Sequence, residues 1–206
     1  MDLPVWKAPP RPEAVEEAWL NRLFLQARSF TRWQARPVPS HLLKRLYDLA
    51  RMGPTAANSG PARFVFVTSE AGKARLLPHL SSTNRPKAAE APVCAIVGYD
   101  RDFVRNLPKL FPHSPSAPSW FADPSVAEES ALKNSTLQTA YLILAARALD
   151  LDAGPLSGFD RAGIDAEFFA GTNITTNLLV NIGFGRADGQ HPRLPRLDFE
   201  EACDVV

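Results

Sequence analysis

The stretch 53–67 carries the residues of this chain that are best suited to holding a ligand. It reads Gly-Pro-Thr-Ala-Ala-Asn-Ser-Gly-Pro-Ala-Arg-Phe-Val-Phe-Val. Gly53-Pro54 ends the amphipathic segment before it, because proline cannot continue a helix and glycine tolerates the turn. Thr55, Asn58 and Ser59 follow among small residues, so short polar side chains and exposed backbone N–H groups could hold a planar, polar ligand. An ordinary helix-to-strand turn has the same spacing, which leaves both interpretations open.

Other classes of chemistry have little support in the sequence. The four histidines are scattered, and no His, Cys and carboxylate cluster has metal-ligand spacing. Leu156-Ser157-Gly158 lacks the flanking glycines of a nucleophile elbow. Asp188 stands where a dinucleotide-binding motif needs its third glycine. The net charge of +1 gives no electrostatic footprint for nucleic acid or an anionic membrane.

The segment 54–64 resembles a family motif. Pro-Thr-Ala-Ala-Asn-Ser-Gly-Pro-Ala-Arg-Phe is similar to the Pro-Ser-x-x-Asn-Ser-Gln-Pro-Trp-x-Phe segment of the FMN-dependent nitroreductase family. Two positions depart from that pattern, since Gly60 replaces glutamine and Ala62 replaces tryptophan. The resemblance implies that this segment wraps a flavin held mainly by the neighbouring subunit.

Four further segments resemble the same family, and they occur in the family's order. They are Arg28-Ser29-Phe30-Thr31-Arg32-Trp33, Asn84-Arg85-Pro86-Lys87, Pro155-Leu156-Ser157-Gly158-Phe159-Asp160 and His191-Pro192-Arg193-Leu194-Pro195. Three positions depart from the family pattern: Thr31 stands where a basic residue is usual, Ser157 replaces a glutamate and His191 replaces a lysine. Each segment is short, but the ordered set is specific for the family.

The resemblance implies a role for each segment. Arg28 and Ser29 would meet the flavin phosphate and pyrimidine edge, and Arg193 would also hold the phosphate. Lys87 would lie beside the flavin N1–O2 edge, and backbone N–H groups near Gly158 would meet N5 and O4. Without the resemblance, Arg28 fits a surface arginine equally well and Lys87 fits a solvated lysine. The implied cofactor contacts are Arg28, Ser29, Pro54, Thr55, Ala56, Asn58, Asn84, Lys87, Pro155, Leu156, Ser157, Gly158 and Arg193.

Some segments narrow the resemblance to the malonic semialdehyde reductase branch of pyrimidine degradation. These are Ala62-Arg63, Leu110-Phe111-Pro112-His113, Ser119-Trp120-Phe121, Gly154 to Arg161 and Arg193 to Cys203. The branch implies reduction of 3-oxopropanoate to 3-hydroxypropanoate by NADPH or NADH through FMN. Arg63 would pair with the substrate carboxylate if it points inward. A broad nitroaromatic or quinone reductase, a non-catalytic flavin-binding protein and a cofactor-free structural dimer remain alternatives.

The elements that must position these residues follow from periodicity and capping signals. The apolar and β-branched runs predict strands at 64–67, 92–97 and 178–184. The polar residues from Ser82 to Lys87 predict a loop. Residues 111–124 are rich in proline, and they predict either a lid or a plain excursion packed by Trp120. Five helices are also predicted. The first begins at Pro12, the second extends from an N-cap at Ser40 to Gly53, and the third covers 69–77. The fourth begins at a capping box, Ser125-Val126-Ala127-Glu128, and ends at Leu149, and the fifth extends from a cap at Asp160 toward Phe169.

The resemblance implies an α+β fold with a mostly antiparallel sheet flanked by helices, in an intertwined homodimer with FMN at the interface. Few strands and no regular βαβ alternation agree with that class. A single domain is expected over 1–206, with a loose tail at 1–11 and an extension at 186–206 that packs on the partner. Residues 140–146 are apolar nearly all round, which predicts a helix central in the core or shared between subunits.

Composition and length place the chain among ordinary globular enzymes. It has 206 residues, of which 45% are hydrophobic and 22% charged. We expect no signal peptide, because the N-terminus lacks a long apolar core, and no apolar run approaches the roughly 18–20 residues that cross a membrane. Cys94 and Cys203 fit no metal or redox spacing, and Cys94 lies in an apolar strand as an expected inert core residue. A cytoplasmic enzyme with a small-molecule substrate, and with no nucleic-acid or membrane partner, is expected.

Overall fold

Four strands form one antiparallel sheet in the computed structural model, which describes residues 15–188, 190 and 192–206. They are β1 (Ala62–Val67), β2 (Val93–Asp100), β3 (Asp152–Leu156) and β4 (Ile174–Gly183). Their order is β1-β2-β4-β3, and each neighbouring pair is antiparallel. β2 and β4 are therefore central, whereas β1 and β3 are edge strands. The predicted α+β class, with an antiparallel sheet, is confirmed.

Helices cover both faces of this sheet. They are α1 (Glu17–Leu20), which continues as a π-helical turn (Asn21–Leu25), α2 (Ser40–Ala50), α3 (Glu70–Leu76), α4 (Arg85–Glu90), α5 (Leu107–Leu110), α6 (Pro124–Ala148), α7 (Arg161–Phe168) and α8 (Phe199–Ala202). Short 3₁₀ turns link several of them. The predicted tail at 1–11 and the predicted start of the first helix at Pro12 lie outside the described residues.

The central strand β2 divides the core into two layers. All eight of its residues are buried, and alternate side chains point to opposite faces. Val93, Ala95 and Val97 pack in the layer that contains α2 and α6. Cys94 and Ile96 pack in the layer that contains α3, α4 and α7. Burial raises the pKa of the Cys94 thiol to about 12, so Cys94 is an inert core residue as predicted.

The long helix α6 is buried on one side only. Leu142, Ala145 and Ala146 pack against the sheet, whereas Leu137 and Tyr141 are 48% and 38% exposed on the other side. The apolar segment 140–146 is thus half core and half surface. Four buried polar side chains also lie on this helix, namely Asn134, Ser135, Gln138 and Thr139.

The caps of three helices differ from their predictions. Ser40 is the first residue of α2 rather than its N-cap, which is Pro39. Asp123 caps α6, because its carboxylate accepts the Ser125 N–H at 2.8 Å, so the capping box predicted at Ser125 is wrong. Asp160 occupies the N-cap position of α7 without a side-chain capping bond. The helix predicted over 69–77 is confirmed as α3, and the Ser69 hydroxyl accepts from its first turn.

Two further boundaries differ in ways that bear on the site. Lys87 was expected in a polar loop, but it lies in α4, which begins at Arg85 with proline in its first turn. Strand β3 was not predicted at all. Its sequence contains Gly154-Pro155, which reads as a turn, and the structure accommodates the proline because β3 is an edge strand.

Candidate functional site

The segment of Arg28 to Phe30 is docked against the outer edge of β3. Ser29 forms a parallel bridge with Ala153, and the Phe30 N–H donates to the Ala153 carbonyl at 3.0 Å. A Cβ atom on Gly154 would overlap the Phe30 carbonyl oxygen. Glycine is required at this position because the two backbones approach so closely.

A pocket of about 450 Å³ lies beside this segment and is called the basic pocket below. Four arginines line it, and its described lining residues include no aspartate or glutamate. It brings together Arg28, Ser29 and Arg193, three of the residues expected to hold a phosphate. Guanidinium groups and hydroxyls are good phosphate ligands, so the pocket is suited to a terminal phosphate. The four arginines are Arg28, Arg147, Arg193 and Arg196.

Arg193 holds the described part of the C-terminal segment against the start of the chain. Its Nη2 donates to the carbonyls of Leu25 and Ala27, the latter at 2.9 Å. These bonds close the basic pocket between two segments that are about as far apart in sequence as this chain permits. Both described bonds use Nη2, so one side of the guanidinium braces the backbone while the group lines the pocket.

Arg147 is a member of the basic pocket that the sequence did not suggest. It lies in the last turn of α6, and its Nη1 donates to the Leu23 carbonyl at 2.8 Å. Burial lowers the pKa of Arg147, and so do the charges of Arg22 and Arg193, although Asp152 opposes them. An arginine still remains protonated under such conditions, so Arg147 adds a full positive charge to the pocket.

A second group of predicted residues meets at the far end of β3 and is called the turn cluster below. The Gly158 carbonyl accepts from the Asn84 amide at 3.2 Å and from the Ser81 N–H at 3.1 Å. The Lys87 ammonium donates to the Asn84 side-chain oxygen at 3.2 Å. Asn84 therefore joins Lys87 to the turn after β3. Exposed Ser157 lies at the tip of that turn.

Strand β3 connects the basic pocket to the turn cluster. Ala153 contacts the segment that lines the pocket, and Ser157 follows the strand at its other end. Four residues of extended chain span roughly 13 Å. This separation suits an elongated ligand with a phosphate at one end and a polar ring at the other. Pro155 and Leu156, two further predicted contacts, lie along this path.

The loop from Pro54 to Gly60 is held by α6 rather than left open. The Asn134 side-chain oxygen accepts the Ala56 N–H at 2.8 Å, and Gln138 accepts the Ala62 N–H at the same distance. The expectation that the backbone N–H groups of this loop are exposed is wrong for Ala56. Asn134 and Gln138 were not singled out in the sequence, although their i, i+4 spacing on a long helix was a usable signal.

Internal bonds also fix the polar side chains of this loop. The Thr55 hydroxyl accepts the Gly60 N–H at 3.1 Å, and the Asn58 amide donates to the Leu110 carbonyl at 2.8 Å. Ala57, Asn58 and Gly60 all have positive φ, a conformation that costs energy for alanine. None of the predicted contacts Pro54, Thr55, Ala56 and Asn58 is among the described lining residues of the basic pocket. Their expected role on a neighbouring subunit stays a prediction.

Arg63 lines a cavity of about 380 Å³, and its guanidinium is also paired within the chain. Its Nη2 pairs with Asp100 at 2.8 Å, and its Nη1 donates to the carbonyls of Gly60 and Ala62. Asp100 is completely buried and also pairs with Arg105 at 2.9 Å. The pairing with Asp100 argues against Arg63 as the partner of a substrate carboxylate, and that role stays a prediction.

The segment 111–124 is anchored by an aromatic residue other than the expected one. Phe121 packs edge-on against Phe103, with ring centroids 5.0 Å apart. Trp120 is 52% exposed and contacts Phe111 at the surface. A short 3₁₀ turn forms over 117–121. Trp120 thus does not pack this excursion into the core, and a role as a lid stays a prediction.

Two kinds of site find no support in the described ranges. No group of three or more His, Cys, Asp or Glu residues there is placed to hold a metal ion. No helix of the described chain is both long and apolar enough to cross a membrane.

A family model described as the nitroreductase family matches residues 25–186. This range includes the turn cluster and, from the basic pocket, Arg28, Ser29 and Arg147, whereas Arg193 and Arg196 lie beyond it. This chain belongs to the nitroreductase family. A curated family member from Caulobacter sp. (strain K31) is 56% identical over 192 residues, covering 93% of this chain and 98% of the relative. That protein carries the provisional name NADH dehydrogenase/NAD(P)H nitroreductase.

Solved structures of the nitroreductase fold superpose on nearly the whole chain. A provisionally assigned nitroreductase from Bacillus subtilis has a TM-score of 0.84 at 17% identity, covering 93% of this chain and all of that protein. One from Exiguobacterium sibiricum, solved in complex with FMN, has a TM-score of 0.81 at 20% identity and covers 94% of this chain and 98% of its own. At such low identity the similarity shows the fold alone.

Proposed function

We propose that this protein is an FMN-dependent NAD(P)H oxidoreductase. The observation that carries the proposal is the arrangement of the basic pocket and the turn cluster at the two ends of β3. It presents arginines and a hydroxyl where a phosphate would lie, and an ordered lysine where a polar ring would lie. The provisional name of the Caulobacter relative and the FMN bound by the Exiguobacterium protein support the same activity.

The residues present fit this cofactor. Arg28, Ser29 and Arg193 would hold its phosphate, and Gly154 permits the close backbone approach that places Arg28 and Ser29. Its ring would meet the turn that carries Ser157 and Gly158. When bound, FMN supplies reversible hydride transfer between the nicotinamide and the acceptor.

The protein's own contribution is orientation and electrostatics. The Lys87 ammonium, directed by its bond to Asn84, would stabilise negative charge that develops at the neighbouring edge of the ligand. Asn84 also fixes the turn at Gly158, so the backbone of that turn keeps a constant orientation toward the ligand. No nucleophile is required, and a proton donor is not assigned among the side chains.

The proposal includes a homodimer. The loop at Pro54 to Asn58 lies outside the basic pocket of its own chain, and family resemblance assigns it to the flavin of a neighbouring subunit. Leu137 and Tyr141 leave an apolar surface on α6 that a second copy would cover. The cytoplasmic location expected from the sequence is part of the same proposal.

The finer proposal concerns the acceptor. Sequence segments that resemble the malonic semialdehyde reductase branch favour 3-oxopropanoate, with 3-hydroxypropanoate as product. Since Arg63 is paired with Asp100, the proposal does not depend on Arg63 as the partner of the substrate carboxylate. The name of the Caulobacter relative favours the competing acceptor class of nitroaromatic compounds.

The test begins with the visible spectrum of the purified protein, titrated with FMN when it is colourless. We expect a non-covalent yellow complex that NADPH or NADH bleaches and that an added acceptor restores. A protein that takes up no FMN would refute the proposal. A yellow protein that is reoxidised only by oxygen would be a flavin-binding protein without reductase activity.

The acceptor is then identified by comparing kcat/KM for 3-oxopropanoate and for a bulky nitroaromatic with the same electron donor. A higher value for 3-oxopropanoate supports the finer proposal, because kcat/KM measures discrimination between substrates directly. A higher value for the nitroaromatic would refute the assignment to the malonic semialdehyde reductase branch, and the proposal of a broad-specificity reductase would remain.

A further inference from the structure

Arg147 carries a half-buried positive charge that the described chain does not neutralise. Its Nε is buried without a hydrogen-bond partner among the described residues. It forms no ion pair within that part of the chain, and the nearby Asp150 and Asp152 both pair with Arg22. Taking a charge out of water is costly unless it is paired. Arg147 therefore costs the unliganded protein stability that an anion could restore.

Arg147 is also placed where an anion could reach it. It lines the basic pocket and a second cavity of about 400 Å³, and the two cavities share Ala27, Arg28 and Arg147. The guanidinium thus lies in the wall between two openings. One bond, from Nη1 to the Leu23 carbonyl, fixes its position, so a ligand would meet an oriented group.

The charges around Arg147 are mostly of its own sign. Arg22 and Arg193 repel it and lower its pKa, and only Asp152 acts in the opposite direction. Arg28 and Arg196 complete the set of cations at the basic pocket. Such an excess of positive charge is matched better by two negative charges than by one.

We propose that Arg147 is a phosphate-binding residue of the basic pocket, and that it selects a terminal phosphate monoester over a phosphate that is part of a pyrophosphate. The inference rests on the proposed function, since the phosphate of FMN is a terminal monoester, whereas in FAD the same phosphate is joined to AMP through a pyrophosphate. A monoester has a second pKa of about 6 and carries nearly two negative charges on one phosphate at pH 8. Each phosphate of the FAD pyrophosphate carries one.

The experiment measures dissociation constants of FMN, riboflavin and FAD at pH 8 for the wild type and for Arg147→Met, Arg147→Lys and Arg75→Met. Arg75 lies on α3 and pairs with Glu167 at the surface, so it is a matched control. We expect Arg147→Met to weaken FMN binding about 10- to 100-fold and to change riboflavin binding by less than about 2-fold. The ratio of FMN affinity to FAD affinity should therefore be lower for Arg147→Met than for the wild type.

The lysine variant separates charge from geometry. Arg147→Lys keeps the positive charge but loses the planar fork, so it should recover part of the FMN affinity. Arg75→Met should bind all three flavins like the wild type. Equal weakening of FMN and riboflavin by Arg147→Met would overturn the proposal, because riboflavin has no phosphate.

Thermal unfolding with and without FMN distinguishes a binding role from a structural one. Without FMN, Arg147→Met should unfold at or above the wild-type temperature, because it removes an uncompensated charge. Saturating FMN should raise the unfolding temperature of Arg147→Met by less than it raises that of the wild type. If Arg147→Met has a lower unfolding temperature without ligand and an unchanged FMN affinity, the inference about Arg147 is overturned while the proposed function stands. Failure of the wild type to bind FMN would overturn the proposed function and this inference with it.

Discussion

Arg193 illustrates how one side chain both builds a pocket and supplies its charge. It braces the backbone of Leu25 and Ala27 while lining the basic pocket. We expect Arg193→Ala to weaken FMN binding about 10- to 100-fold, because a charged hydrogen-bonding partner of the phosphate is lost. A flavin titration measures this effect. Arg51→Ala, whose guanidinium lies over Tyr47 on α2, should bind FMN like the wild type, and equal affinities for both variants would contradict the assignment.

Arg63 pairs with a buried carboxylate in this structure, which favours a stabilising role over that of a substrate ligand. Its loss would leave the buried carboxylate of Asp100 with Arg105 as its remaining cation. We expect Arg63→Ala to lower the free energy of unfolding by about 1–3 kcal/mol. Chemical denaturation measures the change. Arg75→Ala breaks a surface pair and should cost less than about 1 kcal/mol.

The kinetic behaviour of Arg63→Ala separates the two roles. A stabilising residue predicts that the folded fraction keeps its preference between anionic and neutral acceptors. A selective loss of kcat/KM for an anionic acceptor, without loss of stability, would restore the substrate role that the ion pair with Asp100 argues against.

Among the elements, strand β3 is the one that places both ends of the site. Gly154→Ala would push the new Cβ into the Phe30 carbonyl and displace the segment that carries Arg28 and Ser29. We expect a loss of about 1–3 kcal/mol in stability, typical of overpacking, together with weaker FMN binding. In Gly171→Ala the new Cβ would contact no atoms, and the only strain would come from the positive φ of this residue. This control should therefore leave FMN affinity unchanged. Unaltered FMN binding in Gly154→Ala would show that the edge contact does not shape the pocket.

Sequence patterns predicted those elements whose burial is simple. The run from Pro92 to Val97 indicated a buried strand, and β2 is buried along its whole length. β3 was missed because Gly154-Pro155 carries a turn signal, while the edge position that tolerates proline is a property of the sheet order. In α4, the proline at position 86 belongs to a first helical turn, whereas the polar sequence around it predicts a loop.

The candidate site was predictable where its residues belong to family motifs, even when those motifs lie far apart in the sequence. Asn84, Lys87 and Gly158 were each expected to contact the same cofactor, and they meet in the structure. Arg147 gave no signal, because an arginine at the end of an apolar helix resembles an ordinary helix terminus. Its importance comes from the approach of residues 22–28, which only the tertiary structure shows.

At the scale of the whole molecule, a single chain leaves apolar surface that a partner would cover. Leu137 and Tyr141 are exposed on α6, Leu194, Leu197 and Phe199 are exposed near the C-terminus, and no described strand pairs with the outer edge of β1. We expect an obligate homodimer that buries about 2,000 Å² or more. Sedimentation should give a dimer at micromolar concentration, and a stable flavin-loaded monomer would refute the expectation.

A charge at the expected interface tests where the partner docks. Leu137→Glu should weaken the dimer, because it places a carboxylate in an apolar contact. Arg75→Glu, on α3 at the opposite face of the sheet, should leave the sedimentation of the dimer unchanged. Equal behaviour of the two variants would move the interface away from α6.

The contrast between the two thiols gives the native chain a ready site for chemical labelling. Cys94 is buried with its pKa raised to about 12, so a maleimide should not modify it in the folded protein, whereas Cys203 is exposed near the C-terminus. Mass spectrometry should find one label per folded chain and two after denaturation. If the C-terminal extension packs on a partner, dilution below the dimer dissociation constant should accelerate the labelling of Cys203, and the reaction rate would then report on docking without any mutation.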